Sequence, residues 1–353
     1  MSINKLPNEC LYMILDYFNG FEDLIRLSKG IDKVDYIDAN NLWISAYTNW
    51  NDDNLFQLFP NLKVMDTTFL FRDEAFNFSE ILKNNLQIKG LICMDRVHKN
   101  GYLENIEMCA SAFNFDYWKT FRPGQLKQVS SYYFRMNELP SFIEYFPNLK
   151  RLNLCLGNAN KVFYNGPNSF SLKILELGTS DFVEQFTGFH FMDFCPSLES
   201  AFFRCWAKDL YVDESIKNYN LRDLVIEDFQ VSFSWPLLKK LLSKFPNLHH
   251  LAIRNFAELD VNNFDLEELI KLLTKLKILD LRGCNSVKQK SADFLSKYCV
   301  KKNRSIVIYY DCENEPNEWP KLVETYESIC YGFDFMKHFF YKRFRSLPEL
   351  IDE

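Results

Sequence analysis

The sequence has few of the residues that make flexible linkers and lacks the patterns of secreted or membrane-spanning chains. It contains 11 Gly and 12 Pro among 353 residues, which leaves little room for long linkers between domains. No hydrophobic run approaches the roughly 18 residues of a membrane-spanning helix. The amino terminus has no basic region followed by an apolar stretch, so no secretory signal is expected. We therefore expect no membrane association and a cytoplasmic or nuclear location.

The cysteines lack the close pairing typical of metal sites and disulfide frameworks. No C-x-x-C pair occurs anywhere in the chain. In a chain of this length without a secretory signal, isolated cysteines are typical of reduced, buried thiols. The sequence therefore predicts structural thiols at ten positions: Cys10, Cys93, Cys109, Cys155, Cys195, Cys205, Cys284, Cys299, Cys312 and Cys330.

A surplus of basic residues and the common catalytic motifs are also missing. The 41 Lys and Arg against 47 Asp and Glu give a net charge of −6, which weighs against a general nucleic-acid binder. The chain has no H-E-x-x-H, no G-x-x-x-x-G-K-[ST] and no G-x-S-x-G. His249 and His250 are adjacent on a predicted strand and should point to opposite faces, so they cannot readily share a metal. We expect no enzyme activity, metal or cofactor. The alternative is an enzyme whose catalytic site carries no recognisable motif.

What the chain does contain is an internal repeat. The tetrapeptide F-P-N-L occurs at 59–62, 146–149 and 245–248, and Cys195–Leu198 is related to it. Each tetrapeptide opens a segment of the form L-x-x-L-x-L. Successive segments start 23 to 28 residues apart, except for one interval of 38, which predicts an inserted loop within 97–125. The first residues of the nine segments are Leu62, Ile88, Leu126, Leu149, Leu172, Leu198, Leu221, Leu248 and Leu276.

The periodicity inside each segment predicts one strand followed by a helix or turn. The L-x-L alternation has period two, whereas stretches such as 237–242 and 266–273 have helical spacing. One strand and one helix cannot bury their own apolar faces, so neighbouring repeats must stack. The pattern resembles the leucine-rich repeats, whose period is about 20–29 residues. This predicts an α/β fold, a leucine-rich-repeat solenoid with a curved parallel sheet and outer helices; a doubly wound fold is the alternative.

Residues 1–50 do not fit the repeat and predict three short helices. Their pattern resembles the F-box, which runs L-P-x-E-x-L, then I and L, then D-L-x-x-L, then L-W. The V-C-K-x-W element usual before L-W is absent from 29–37. By this resemblance, a Skp-family adaptor would bind Leu6, Pro7, Leu11, Ile14, Leu15, Leu24, Leu27, Leu42 and Trp43.

The two resemblances together imply an F-box domain at 1–50, a repeat horseshoe at 51–315 and a C-terminal cap at 316–353. Such a protein would be the non-catalytic substrate receptor of an SCF-type ubiquitin ligase, joined through its adaptor to a cullin. The alternative is a leucine-rich-repeat scaffold unrelated to ubiquitin transfer, which the missing V-C-K-x-W element favours. In the cap, an aromatic-rich pair of helices is predicted to cover the last repeat. A basic cluster within 337–345 leaves a nucleic-acid or nuclear-targeting role as a further alternative.

Target binding is predicted on the concave face of the horseshoe. The position after the third leucine of a repeat should project from that face. Arg254 and Arg282 should then stand side by side and attract an acidic or phosphorylated segment, because arginine forks match carboxylate and phosphate oxygens. The competing interpretation is that these side chains are solvated and paired with neighbouring acids. The predicted target-binding residues are Phe202, Arg204, Glu227, Arg254, Asp280, Arg282 and Tyr309.

Overall fold

The protein is described here from a computed structural model. The described residues are 82–92, 102–111, 116–157, 161–204, 206–227, 234–255, 262–312 and 315–320, with the backbone of four short strands at 36–37, 64–66, 329–331 and 350–352. The chain divides into two compact units, Met1–Leu126 and Lys127–Glu353.

The first unit contains a run of short parallel strands. Strand β1 (Tyr36–Ile37) pairs with β2 (Val64–Asp66), which pairs with β3 (Gly90–Ile92), which pairs with β4 (Met108–Ser111). A short helix, α1 (Tyr117–Thr120), follows. Strand β1 lies between the second and third helices expected in residues 1–50, in the stretch that lacks the V-C-K-x-W element, and both of its residues pair with β2. The nine predicted adaptor-binding residues lie outside the described residues.

Strand β4 overturns the expected inserted loop in 97–125. Leu91 is level with Cys109 across β3 and β4, and both are fully buried. Ile106 is also buried and donates its backbone N–H to the carbonyl of Leu103, which forms the turn that precedes a repeat strand. The interval of 38 residues therefore holds a further repeat, Ile106-x-x-Cys109-x-Ser111. Its Cys and Ser stand where the other repeats have leucines, which hid it in the sequence.

The second unit contains an eight-stranded parallel sheet. Its strands are, in spatial order, β5 (Gln128–Arg135), β6 (Arg151–Gly157), β7 (Ile174–Thr179), β9 (Ser200–Arg204), β11 (Asp223–Glu227), β12 (His250–Arg254), β13 (Ile278–Asp280) and β14 (Val307–Tyr309). Apart from this sheet, β8 (Val183–Phe186) pairs in parallel with β10 (Ala207–Leu210), so two repeats carry a second strand. Strands β15 (Ile329–Tyr331) and β16 (Leu350–Asp352) form a third parallel pair.

The second leucine positions of the repeats form one buried row across this sheet. Each member is level with the next on the neighbouring strand, and every member from Val129 to Leu279 is 0% to 2% exposed. A single residue slip would turn these side chains to the other face. The register therefore confirms the repeat phase predicted for the second unit. The row is Val129, Leu152, Leu175, Ala201, Leu224, Leu251, Leu279 and Ile308.

The F-P-N-L tetrapeptide forms a turn immediately before the repeat strand. The N–H of Leu149 donates to the carbonyl of Phe146 at 3.3 Å, and that of Leu248 donates to Phe245 at 3.2 Å. Cys195 and Leu198 make the same contact at 3.1 Å. Proline suits the second position of such a turn because its φ is already fixed there. Both ends of these three turns are buried, so the motif also anchors the repeat in the core. The copy at 59–62 lies outside the described residues.

Between the strands the chain forms helices that bury one face. After the 3₁₀ turn Met136–Glu138 they are α2 (Leu139–Tyr145), α3 (Gly188–Met192), α4 (Trp235–Leu242), α5 (Asn263–Leu272) and α6 (Gln289–Lys301). Asn262 begins α5 by accepting from the backbone of Phe264 and Asp265, and Asp265 accepts from Asn262 in return. The architecture is thus α/β, a long parallel sheet with outer helices. None of the helices in the described ranges is long and apolar enough to cross a bilayer.

The C-terminal segment differs from the expected pair of helices where its backbone is described. Ile329–Tyr331 and Leu350–Asp352 are strands. Ile, Cys and Tyr favour extended backbone when a partner strand is at hand, and here each strand supplies the other. The remainder of the predicted cap, apart from residues 316–320, lies outside the described residues.

Candidate functional site

The predicted target-binding residues come together near the carboxyl ends of five neighbouring strands, β9 to β14. Arg204 is level with Glu227, which is level with Arg254 on the next strand. Two residues earlier on each strand lies a second row of aligned residues. It consists of Phe202, Val225, Ala252, Asp280 and Tyr309. The sequence thus placed these residues on one patch of the sheet.

Their exposure is not what the sequence predicted. Arg254, Phe202 and Asp280 are 0% exposed, Glu227 is 1% and Arg282 is 6%. Tyr309 is buried as well, and only Arg204 is partly exposed. The expectation that these side chains are presented to solvent is therefore wrong for six of the seven. Contact with a target stays a prediction.

Arg254 and Glu227 form a buried ion pair. The distance from Arg254 Nη2 to Glu227 Oε2 is 3.0 Å, and the guanidinium lies over the Phe202 ring, 5.7 Å from its centroid. Burial lowers the pKa of Arg254, and the nearby Glu227 and Asp280 carboxylates partly offset that effect. A buried charge must be paired and hydrogen-bonded, so this arginine is committed to its neighbours inside the protein.

Arg282 is held by its own neighbours and by a later part of the chain. Its Nε and Nη2 donate to the two oxygens of Asp280 at 3.0 and 2.8 Å. Its Nη1 donates to the Pro320 carbonyl at 2.7 Å and lies 3.5 Å from Glu315 Oε1. The pairing of Arg282 with Asp280 was the competing interpretation from sequence, but the pair is buried rather than solvated.

The segment Glu315–Pro320, which we call the strap, packs on the last two strands of the sheet. The Trp319 ring meets those of Tyr309 and Tyr310 edge-on, with centroids 5.3 and 5.4 Å apart. The Arg282 guanidinium lies over the Tyr309 ring at 5.2 Å. The strap therefore covers part of the predicted target site. No periodicity in the sequence pointed to this contact, because the strap is not part of a repeat.

A serine, an aspartate and a histidine lie side by side at the amino ends of β9, β11 and β12. Ser200 Oγ donates to Asp223 Oδ2 at 2.6 Å, and His250 Nδ1 lies 2.5 Å from Asp223 Oδ1. In a catalytic triad the histidine stands between the nucleophile and the acid, whereas here the carboxylate is in the middle. The Ser200 hydroxyl donates its hydrogen bond to Asp223 and is not activated by the imidazole. This trio joins three repeats and forms no hydrolytic site.

Another buried ion pair links α3 to the end of α4. Lys244 Nζ lies 2.7 Å from Asp193 Oδ1, with the two side chains 1% and 4% exposed, and Lys244 also donates to the carbonyl of Asp213. Burial raises the pKa of Asp193 to about 6, and Lys244 offsets part of that rise. Burial also lowers the pKa of His190, which packs against Phe163 and Tyr211. These titratable groups were not singled out from the sequence.

The described cysteines are structural in four of six cases. Cys109, Cys195, Cys284 and Cys299 are buried, as predicted, while Cys155 and Cys312 are half-buried. Burial raises the pKa of the Cys109 and Cys195 thiols, which disfavours the thiolate that reacts or binds metal. Within the described part of the chain, no group of three or more His, Cys, Asp or Glu side chains is placed to hold a metal ion.

Sequence reasoning missed a row of exposed cations at the amino ends of the strands. Arg222 and Lys277 are exposed, and His249 between them is half-buried. Backbone hydrogen bonds join the three in series: His249 N–H donates to Arg222 at 2.8 Å, and Lys277 N–H donates to His249 at 2.7 Å. All three occupy the second position of L-x-x-L-x-L. Aligning that position across the repeats would have found them in the sequence.

Comparisons with known proteins add little to this geometry. No protein-family model and no curated protein matches the chain. Among solved structures, one match is a chain described as "Crystal structure of TLR13-ssRNA13 complex", 14% identical, with a TM-score of 0.28. The match covers 65% of this chain and 37% of the other, so this chain spans little more than a third of that protein's length.

Proposed function

We propose that the protein is a non-catalytic, protein-binding repeat protein that acts as the substrate-recognition subunit of an SCF-type ubiquitin ligase. The observation that carries the binding role is the register of the second unit, in which eight described strands follow one another in one parallel sheet. Stacked repeats of this kind create extended binding surfaces. The ligase role is supported by the F-box resemblance of residues 6–43.

In this proposal the chain contributes proximity rather than bond-making groups. The amino-terminal segment binds a Skp-family adaptor and, through it, a cullin, while the repeats hold a target protein. Holding the target near the ubiquitin-charged enzyme raises the effective concentration of its lysines. Neither a metal nor a cofactor is required for that role.

Co-purification of the full-length protein with the adaptor tests the ligase role. A combined Pro7→Ala and Leu11→Ala variant should lose most of the bound adaptor, because a truncated apolar anchor typically costs more than about 1–2 kcal/mol of binding energy. A matched control, Leu86→Ala, changes a leucine that is 63% exposed and should keep the adaptor. If the unmodified protein binds no adaptor, the ligase role is wrong.

The second candidate is a repeat scaffold without any role in ubiquitin transfer. Two observations favour it: the absent V-C-K-x-W element and strand β1, which pairs with the first repeat strand from within residues 1–50. Under this candidate the amino-terminal segment covers the start of the sheet. Adaptor binding separates the two, since a scaffold would not retain it.

A further inference from the structure

The exposed cations Arg222 and Lys277 and the half-buried His249 between them, which together we call the basic edge, are held at fixed spacing by the sheet. They stand on three consecutive repeats whose strands are β11, β12 and β13. Neighbouring strands lie about 4.8 Å apart, so the backbones of Arg222 and Lys277 are about 10 Å apart. The spacing is built into the backbone, since each residue's amide or carbonyl takes part in the hydrogen bonds that join the repeats.

Two acids close to the basic edge in the repeats, Asp223 and Glu199, have other partners. The Asp223 carboxylate accepts from Ser200 and contacts His250. Glu199, one repeat further back, lies 2.5 Å from Lys173 Nζ. The positive charge of Arg222 and Lys277 is therefore not cancelled by these two acids, and cations of the same sign held near each other attract an anionic ligand.

The pKa of His249 is affected by the positive charges of Arg222 and Lys277. Its pKa is lowered by burial and further by Lys277, His250 and Arg222, while Asp223 acts in the opposite direction. The imidazole is therefore neutral at physiological pH beside two cations. An anion bound across the edge would reverse the effect of the cations and favour the protonated ring.

The basic edge is bounded on both sides. On one side Glu199, which is paired with Lys173, separates it from Lys173, Lys150 and Lys127, the half-buried lysines at the same position of the preceding repeats. On the other side the equivalent position of the last repeat is Ile306. A long polyanion such as a nucleic acid would place its remaining charge over a protein whose net charge is −6. A peptide in polyproline II form has three residues per turn and rises about 3.1 Å per residue, so carboxylates three residues apart lie on one face, about 9 Å from each other.

We propose that the basic edge is the docking surface for an acidic segment of a partner protein, bound in polyproline II form with carboxylates three residues apart on Arg222 and Lys277. The inference rests on the proposed protein-binding function, and it names the partner chemistry. In this proposal Arg222 and Lys277 are the cations that bind an acidic target, in place of Arg254 and Arg282, whose buried charges are already paired.

The direct test uses the full-length protein and a fluorescein-labelled peptide with Glu at every third residue, separated by Ser. Fluorescence anisotropy at low ionic strength should show binding, and a peptide with Gln in place of Glu should not bind. The combined Arg222→Glu and Lys277→Glu variant should weaken binding at least about tenfold. The control, Lys301→Glu with Lys302→Glu, makes the same change in net charge at the exposed end of α6 and should shift affinity less than about twofold.

Proton linkage gives a second readout. Affinity for the Glu peptide should rise as the pH falls from about 8 to about 6, because binding favours protonated His249. The His249→Asn variant should lose that dependence while still folding. An unchanged pH dependence in this variant would contradict the assignment.

Three results would overturn the proposal: no binding of the Glu peptide, equal weakening by the two double variants, or tighter binding of an oligothymidylate with the same number of charges. Measuring adaptor co-purification on the same proteins keeps this inference separate from the ligase role. The Arg222→Glu, Lys277→Glu variant should keep any adaptor that the unmodified protein binds. Absence of the adaptor from both proteins would remove the ligase role and leave the peptide result unaffected.

Discussion

Arg151 and Glu176 form a two-pronged contact inside the second unit. Arg151 Nε donates to Glu176 Oε2 at 2.9 Å, and Nη2 donates to Oε1 at 2.6 Å. The side chains are 2% and 0% exposed. Burial raises the pKa of Glu176, and the attraction of Arg151 offsets part of that rise. Removing one partner from such a pair leaves the other as a buried charge, which costs far more than removing both.

A double-mutant cycle should show this asymmetry. We expect Glu176→Leu alone to lower the free energy of unfolding by about 3–5 kcal/mol. Arg151→Met combined with Glu176→Leu should restore most of that loss, because no buried charge is left uncompensated. Urea unfolding followed by circular dichroism measures both. A double variant as unstable as the single one would mean that packing, not charge, dominates the site.

The buried Asp193 carboxyl predicts a specific dependence of stability on pH. Its pKa is raised to about 6 in the folded protein, against about 3.9 when unfolded. Its favourable contribution is complete below the unfolded pKa and is lost as the pH rises through the folded one. Relative to Asp193→Asn, the unfolding free energy of the unmodified protein should therefore fall by about 1–1.5 kcal/mol between pH 5 and 7.5. The difference is obtained from urea titrations at several pH values, and a flat difference would place Asp193 in a solvated environment.

Thiol labelling should separate the buried from the half-buried cysteines. In the native protein, N-ethylmaleimide should modify Cys155 and Cys312, which are half-buried, and spare Cys109 and Cys195, whose pKa values are raised by burial. Peptide mass spectrometry after brief labelling gives the order directly. Labelling in urea is the control, since all four should then react. Rapid native modification of Cys109 would argue against the additional repeat at Ile106–Ser111.

The strap should loosen when its aromatic contact is removed. Trp319→Ala deletes the ring that meets Tyr309 and Tyr310, an interaction worth about 0.5–1.5 kcal/mol per aromatic pair. Cleavage after Glu315 or Glu318 by a glutamate-specific protease should become roughly fivefold faster. Phe264→Ala, which removes a ring 76% exposed on α5, is the matched control and should leave the rate unchanged. Equal acceleration in both variants would point to a general loss of stability.

The repeat phase of the second unit was determined by the sequence. Period-two leucines need one buried face, and the F-P-N-L turn fixes where each strand begins, so Leu152, Leu224 and Leu251 could be placed on one row without a structure. The parallel sheet and its outer helices followed, because a strand–helix unit must stack on its neighbours to bury that face. The same logic failed at Cys109, since small or polar residues in leucine positions break the pattern but still fit the row.

Only the tertiary structure showed which charged residues are buried and paired and which are exposed. The sequence placed Arg254 beside Glu227 and Arg282 near Asp280, but it could not show that these pairs are buried or that Glu315–Pro320 returns to meet Arg282 and Tyr309. Whether a cation is free for a partner depends on burial and on contacts between residues distant in the chain, which no local pattern encodes. Arg222 and Lys277 are exposed at the amino ends of their strands, whereas Lys127, Lys150 and Lys173 at the same repeat position are half-buried, so the repeat position alone does not set exposure.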